Sequence, residues 1–116
     1  MRVVLACVCE SDLWYYRGDS EFAPGPIGHE IIGVAENTGS VVSNLSKGDL
    51  VIAPFAFSDG TCPKCRHGTT TRARTAVSSP MNGDGGQGEA VRVPLADSTL
   101  VIVPGRATPT RCCARC

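Results

Sequence analysis

Apolar positions in this chain come in short runs, divided by Gly, Pro, Asn and Asp. Val3 to Val8 is continuously apolar and predicts a strand buried on both faces, with Cys7 in the core. Ser11 is placed to cap a short helical turn through Asp12-Leu13-Trp14-Tyr15-Tyr16, which Gly18 ends. Pro24-Gly25-Pro26 breaks the next segment into a loop. Glu30 to Glu36 predicts a second strand, Val41 to Leu45 an extended segment, and Leu50 to Phe57 a third strand fed by the turn Lys47-Gly48-Asp49. Ala90 to Val93 and Leu100 to Val103 predict two more strands, with a turn at Ala96-Asp97-Ser98 between them. Short strands with turn signals at this density predict a closed or sandwich-like β domain.

Residues 58–88 break the pattern. Val77 is their only β-branched aliphatic residue, and Gly and Asn crowd the end of the segment. The stretch Thr69 to Met81 is expected to be irregular, because its Thr/Arg/Ser-rich composition offers little apolar area to offset the entropy of ordering it. After Pro104-Gly105 an Arg/Cys-rich tail, residues 106–116, holds no pattern of a packed element. The expected organisation is one domain over residues 1–105, with an irregular lobe at 58–88 and a disordered tail.

A chain of 116 residues suits one domain. Aromatic residues are 5% of it, so the core is expected to be aliphatic. Eleven basic and eleven acidic residues cancel, which gives no electrostatic case for nucleic acid or an anionic membrane. No apolar run approaches a membrane span, and Glu10 and Asp12 close the N-terminal run too early for a signal peptide. Seven cysteines, clustered at 7/9, 62/65 and 112/113/116, argue against a fully paired disulfide framework and for a cytoplasmic, thiol-bearing protein.

Candidate chemistry lies at Gly28-His29-Glu30-Ile31-Ile32-Gly33-Val34 and, upstream, at Cys9-Glu10-Ser11-Asp12. A thiolate and an imidazole brought together suit zinc. Their separation exceeds one helical turn, so the fold must unite them. Cys62-x-x-Cys65 is a further zinc-type spacing. Gly83-Asp84-Gly85-Gly86-Gln87-Gly88 is glycine-rich, but no helical segment follows it, so it is a poor nucleotide fingerprint.

Cys9-x-Ser11-Asp12, Gly28-His29-Glu30-x-x-Gly33-Val34, Gly48-Asp49-x-Val51 and Cys62-x-x-Cys65 occur in that order. Together they resemble the GroES-like catalytic domain of zinc-dependent alcohol dehydrogenases, in the medium-chain dehydrogenase/reductase superfamily. The resemblance covers Val3 to Ser58 and Gly83 to Gly105. It implies a mainly β fold, a GroES-like, partly open β-barrel fragment with short helical turns. It also implies that Cys9 and His29 are catalytic zinc ligands and that Glu30 is a close neighbour or an exchangeable ligand. Ser11 would pass the substrate hydroxyl proton towards solvent, and Asp12 would hold the His29 ring in its tautomer. The implied partners are a small alcohol or aldehyde and NAD(P), the latter held by a second domain in full-length relatives.

This sequence also departs from the family pattern. No Gly-x-Gly-x-x-Gly between a strand and a helix occurs, so no Rossmann domain is expected in it. Glu10 stands where relatives commonly carry glycine or a basic residue near the cofactor phosphates. Of the four cysteines of the family's structural zinc lobe, Cys62 and Cys65 are read as remnants, with Gly68 and Ala76 at the expected third and fourth positions. Relatives carry a Ser-Cys-Val-His-Gly-Gly-Phe run near here, whose codons read one frame over can give Arg-Ala-Cys-Thr-Ala-Val-Ser. This chain has Arg72-Ala73-Arg74-Thr75-Ala76-Val77-Ser78, which suggests compensating frameshifts, with a third near Gly105 behind the tail. The expectation is a truncated, partly frameshifted dehydrogenase domain, inactive alone. The alternatives are a non-catalytic zinc-binding module and a non-functional pseudogene product.

Overall fold

The computed structural model of the chain describes residues 1–21, 25–74, 77–78 and 85–104, with residues 77–78 as backbone only. Its principal element is a four-stranded antiparallel sheet. The strands are β1 (Arg2–Cys7), β2 (Glu30–Val34), β3 (Leu50–Ala53) and, after β4 (Ala56–Phe57) and β5 (Val77–Ser78), β6 (Val101–Ile102), in the order β1-β2-β3-β6. A second, two-stranded sheet pairs β4 with β5. Helices are short: α1 (Glu10–Arg17), α2 (Pro63–Arg66), α3 (Ala96–Thr99) and a 3-10 turn at Thr70–Arg72. The chain is mainly β, as the turn-rich sequence predicts, and its main sheet is open.

Register decides which side chains enter the core. Ala6 pairs with Ile31, Ile31 with Ala53, and Gly33 with Val51, which sets these positions on one face. Ile31, Val51 and Ala53 are buried there, and Val91, Met1, Val3 and Leu100 close over the cluster around Ile31. The alternate positions Leu5, Ile32, Ile52 and Val101 form a cross-strand row on the opposite face. That face is apolar yet open, and Ile52 and Val101 are exposed.

Several predicted elements change. Leu50 to Phe57 is two strands, because Pro54 has no N–H to continue the ladder. Ala90 to Val93 is not a strand. Ala90 forms a single bridge to Arg2, although Met1 and Val91 exchange bonds between their amino groups and carbonyls. Val41 to Leu45 is turn and loop, and Ala96–Thr99 is a full helical turn. Cys7 is exposed rather than buried, because it shares its face of β1 with Leu5. The 106–116 tail and residues 75–76 and 79–81 of the 69–81 stretch lie outside the described residues. Inside that stretch, Thr70–Arg72 forms the 3-10 turn and Val77–Ser78 is a strand, so it is not wholly irregular.

Asp97, at the start of α3, fixes the loop that follows β2. Its carboxylate accepts hydrogen bonds from the Ser43 and Asn44 backbone N–H groups, at 2.9–3.1 Å, and from the Ser43 hydroxyl at 2.9 Å. The two backbone N–H groups, Asn44 first and Ser43 next, hold its carboxyl below the ordinary value of 3.8. A carboxylate with a lowered folded-state pKa stabilises above its unfolded pKa and loses that contribution as pH falls through the folded one. The Tm difference between the native chain and Asp97→Asn is therefore expected to be full at neutral pH and to shrink as pH is taken well below 3.8. A difference that does not change with pH would show that the charge is not what holds the loop.

Candidate metal centre

The β1/β2 pairing brings the two halves of the candidate site together. Cys7 pairs with Glu30, so the chain leaving β1 towards Cys9 and the chain entering β2 at His29 meet at one end of the sheet. At this end Cys9 becomes the N-cap of α1, a position the sequence reading gave to Ser11. The cap is built by Asp12. Its Oδ2 accepts the Cys9 N–H at 2.9 Å, while its own N–H donates to the Cys9 carbonyl at 3.1 Å. Gly18, at φ +77°, closes the helix in the left-handed conformation.

His29 and Asp12 are buried, at 5% and 2% exposure. Asp12 Oδ1 lies 3.3 Å from His29 Nδ1. Neither atom forms a well-aligned hydrogen bond among the described residues, so the contact is loose. The other ring nitrogen, Nε2, lies 3.4 Å from Ser11 Oγ, and that hydroxyl lies 3.4 Å from Cys9 Sγ. Phe55 packs edge-on against the imidazole, with centroids 4.9 Å apart at 79°. The residue break after β3 puts it there. Donor atoms of Cys9, His29 and Glu30 all lie within 4.8 Å of one another.

This donor set fits a zinc ion. Thiolate, imidazole and carboxylate are its usual protein ligands. With Asp12 facing Nδ1, a proton on that nitrogen leaves the Nε2 lone pair pointing to the side of Ser11 and Cys9. Beside His29 and Glu30 opens a cavity of about 330 Å³, lined by Leu5, Cys7, Ile32, Ile52 and Phe55. All five predicted residues of this centre, Cys9, Ser11, Asp12, His29 and Glu30, meet at one end of the sheet. Trp14 is exposed on α1 and does not line this cavity.

A second cluster forms on α2. Cys62 and Cys65 lie side by side, Sγ to Sγ 3.5 Å, and the Cys65 thiol reaches Asp59 Oδ1 at 3.4 Å. Asp59, Cys62 and Cys65 place one donor atom each within 4.8 Å of the others. The backbone N–H groups of Arg74 and Cys65 pull the Cys62 thiol below its usual value, whereas burial and the neighbouring Cys62 raise Cys65. Among the described residues, the third donor of this cluster is Asp59, upstream of Cys62. The spacing Asp59-x-x-Cys62-x-x-Cys65 carried that signal, which a search for cysteines alone passes over. Phe55 and Gln87, to which the sequence assigns no site role, had no comparable signal.

A mainly β domain with metal-donor side chains gathered at one end of its sheet is the class this geometry defines. The sequence profile of the alcohol dehydrogenase GroES-like domain matches residues 1–105, and the chain belongs to that family. It is 39% identical over 107 residues to a medium chain reductase/dehydrogenase of Acremonium sp., covering 90% of this chain and 37% of that protein. It is 36% identical to zinc-type alcohol dehydrogenase B of Aspergillus flavus, covering 90% of this chain and 25% of that one. The solved alcohol dehydrogenase of Thermus sp. ATN1 superimposes with a TM-score of 0.80 at 37% identity, over 93% of this chain and 33% of that chain. Other solved relatives hold NADP or NADH. The chain therefore spans roughly a quarter to two fifths of these relatives' length. Among the described residues no helix is long and apolar enough to cross a membrane.

Proposed function

We propose that residues 1–105 are the zinc-binding side of an alcohol dehydrogenase that acts on small alcohols or aldehydes with NAD(P), and that residues 106–116 lie outside the domain. The observation that carries this reading is the convergence of Cys9, His29 and Glu30 donor atoms within 4.8 Å, with buried Asp12 behind the imidazole. When bound, zinc would act as a Lewis acid on an alcohol oxygen and make its proton easier to remove. Cys9 and His29 would hold the ion, with Glu30 as a third, exchangeable group. Asp12 would keep the Nδ1 proton directed at itself. Ser11, in contact with both Cys9 and His29, would take the hydroxyl proton and pass it to water. The apolar cavity walls, Leu5, Ile32, Ile52 and Phe55, would receive the substrate carbon chain. The unpaired, clustered cysteines support a cytoplasmic location.

A polypeptide of these 116 residues is expected to take up cobalt(II) in place of zinc, with a thiolate-to-cobalt absorption band. It is expected to give no change in nicotinamide absorbance with a panel of alcohols, aldehydes, NAD and NADP. Holding hydride donor and acceptor together can supply about 7–11 kcal/mol of barrier lowering, and no dinucleotide fingerprint occurs in this sequence to do so. Glu10, exposed on the first turn of α1, would add negative charge where the family resemblance puts the cofactor phosphates. Turnover abolished by Cys9→Ala or His29→Ala would refute the inactivity.

The Asp59, Cys62 and Cys65 cluster supports a second reading, a metal site in the lobe that makes no contact with substrate. A cobalt stoichiometry that drops by one ion in Cys62→Ser, and by a further ion when His29→Ala is added, would separate this site from the first.

A further inference from the structure

We infer that Gln87 is a positioning residue for the Cys9/His29 centre, acting through Asp12. The inference rests on the metal reading above. The carboxylate of Asp12 divides its two oxygens. Oδ1 faces His29 Nδ1, and Oδ2 receives the Cys9 N–H at 2.9 Å. Oδ2 receives a second hydrogen bond, from Gln87 Nε2 at 3.2 Å. The same amide nitrogen also lies 3.5 Å from the Cys7 carbonyl at the end of β1. One side-chain amide from a distant loop therefore ties together the strand leading to Cys9 and the carboxylate behind His29.

Gln87 is exposed, but its backbone is fixed in place. Its backbone N–H donates to the Ile27 carbonyl at 2.9 Å, and the Gly86 N–H donates to the Gly28 carbonyl at 2.9 Å. These two bonds latch the 85–88 segment onto the loop that delivers His29. Gly28, at φ +96°, lies under the Gln87 side chain. A Cβ on Gly28 would sit 2.5 Å from Gln87 Cγ and 3.1 Å from the Gln87 backbone nitrogen. A Cβ on Gly85 would run into the Ile27 and Pro26 backbone at 2.3–2.4 Å, so this approach is specified from both sides. With two N–H donors on Oδ2, the carboxylate cannot rotate about its Cβ–Cγ bond without breaking one of them. Oδ1 then stays in front of Nδ1, and Nε2 stays turned to Cys9.

The test is a double-mutant cycle on cobalt(II) affinity, read from the absorption band that Cys9→Ser removes. Gln87→Met keeps the volume and deletes the donor. It is expected to weaken cobalt binding about tenfold, the lower end for partners that orient a metal ligand. In an Asp12→Asn background the same change is expected to have a much smaller effect, because the charge opposite His29 Nδ1 that Gln87 helps to aim is already lost. An unchanged affinity in Gln87→Met, or a loss that is fully additive with Asp12→Asn, would overturn the inference and leave the metal reading standing. Absence of any Cys9-dependent cobalt band in the native sequence would overturn both. A purely structural role would instead lower the Tm of the metal-free chain without coupling to Asp12.

Discussion

Cys9→Ser and His29→Ala are each expected to weaken zinc or cobalt(II) binding at the end of the sheet by well over ~100-fold, more than the 10–100-fold typical of losing a partner behind a ligand. The centre has three donor side chains, and Glu30 is exposed on its solvent side. Removing either of the other two leaves one firm ligand, and a single side chain does not hold a divalent ion against water. Asp12→Asn is expected to cost ~10–100-fold. Asn retains an oxygen for the Cys9 N–H, so the helix cap survives while the charge opposite Nδ1 is lost. Ser11→Ala should leave affinity nearly unchanged, because its hydroxyl touches both ligands but need not bind the ion. Metal competition against a chromophoric chelator, in a Cys62→Ser, Cys65→Ser background, measures all four without the lobe's thiolates. Equal affinity in the native chain and His29→Ala would place the ion elsewhere.

The sequence pointed to the candidate centre because its donors sit in two short motifs whose order and residue types are informative. It could not show how the motifs meet, which depends on the Cys7–Glu30 register. The supporting residues were less visible. Gln87 reaches Asp12 across 75 positions, from a glycine-rich stretch that reads as plain loop. Cys7 was misplaced for a related reason: a wholly apolar run does not say which of its faces is covered. Val3 to Val8 has the pattern of a strand buried on both faces, yet Cys7 and Val8 are exposed and the row through Leu5, Ile32, Ile52 and Val101 lies on an open face. Ala90 to Val93 has the composition of a strand, but only one bridge forms, and Val91 serves the core from irregular backbone.

Ile31→Ala is expected to cost about 2–5 kcal/mol of stability, and Ile52→Ala about 0.5 kcal/mol or less. The two residues stand on neighbouring strands of one sheet but on opposite faces. Ile31 is 4% exposed and packs with Ala53 and Val91 at the centre of the core, whereas Ile52 is 40% exposed. Truncating Ile31 removes three buried carbons and leaves a cavity among Ala53, Val91, Met1, Val3 and Leu100, which relaxation of the surroundings fills only in part. Domains of this size have a total stability near 5–15 kcal/mol, so the Ile31 change consumes much of it. It also bears on the site, because Ile31 anchors the strand that begins directly after His29. Ile31→Val, which keeps the branched shape, is expected to cost only about 0.5–1.5 kcal/mol. Urea unfolding at constant m-value gives the three differences. If Ile52→Ala proves as costly as Ile31→Ala, the apolar outer face is covered in solution, and a fall in that cost on dilution would identify the cover as a second copy of the chain.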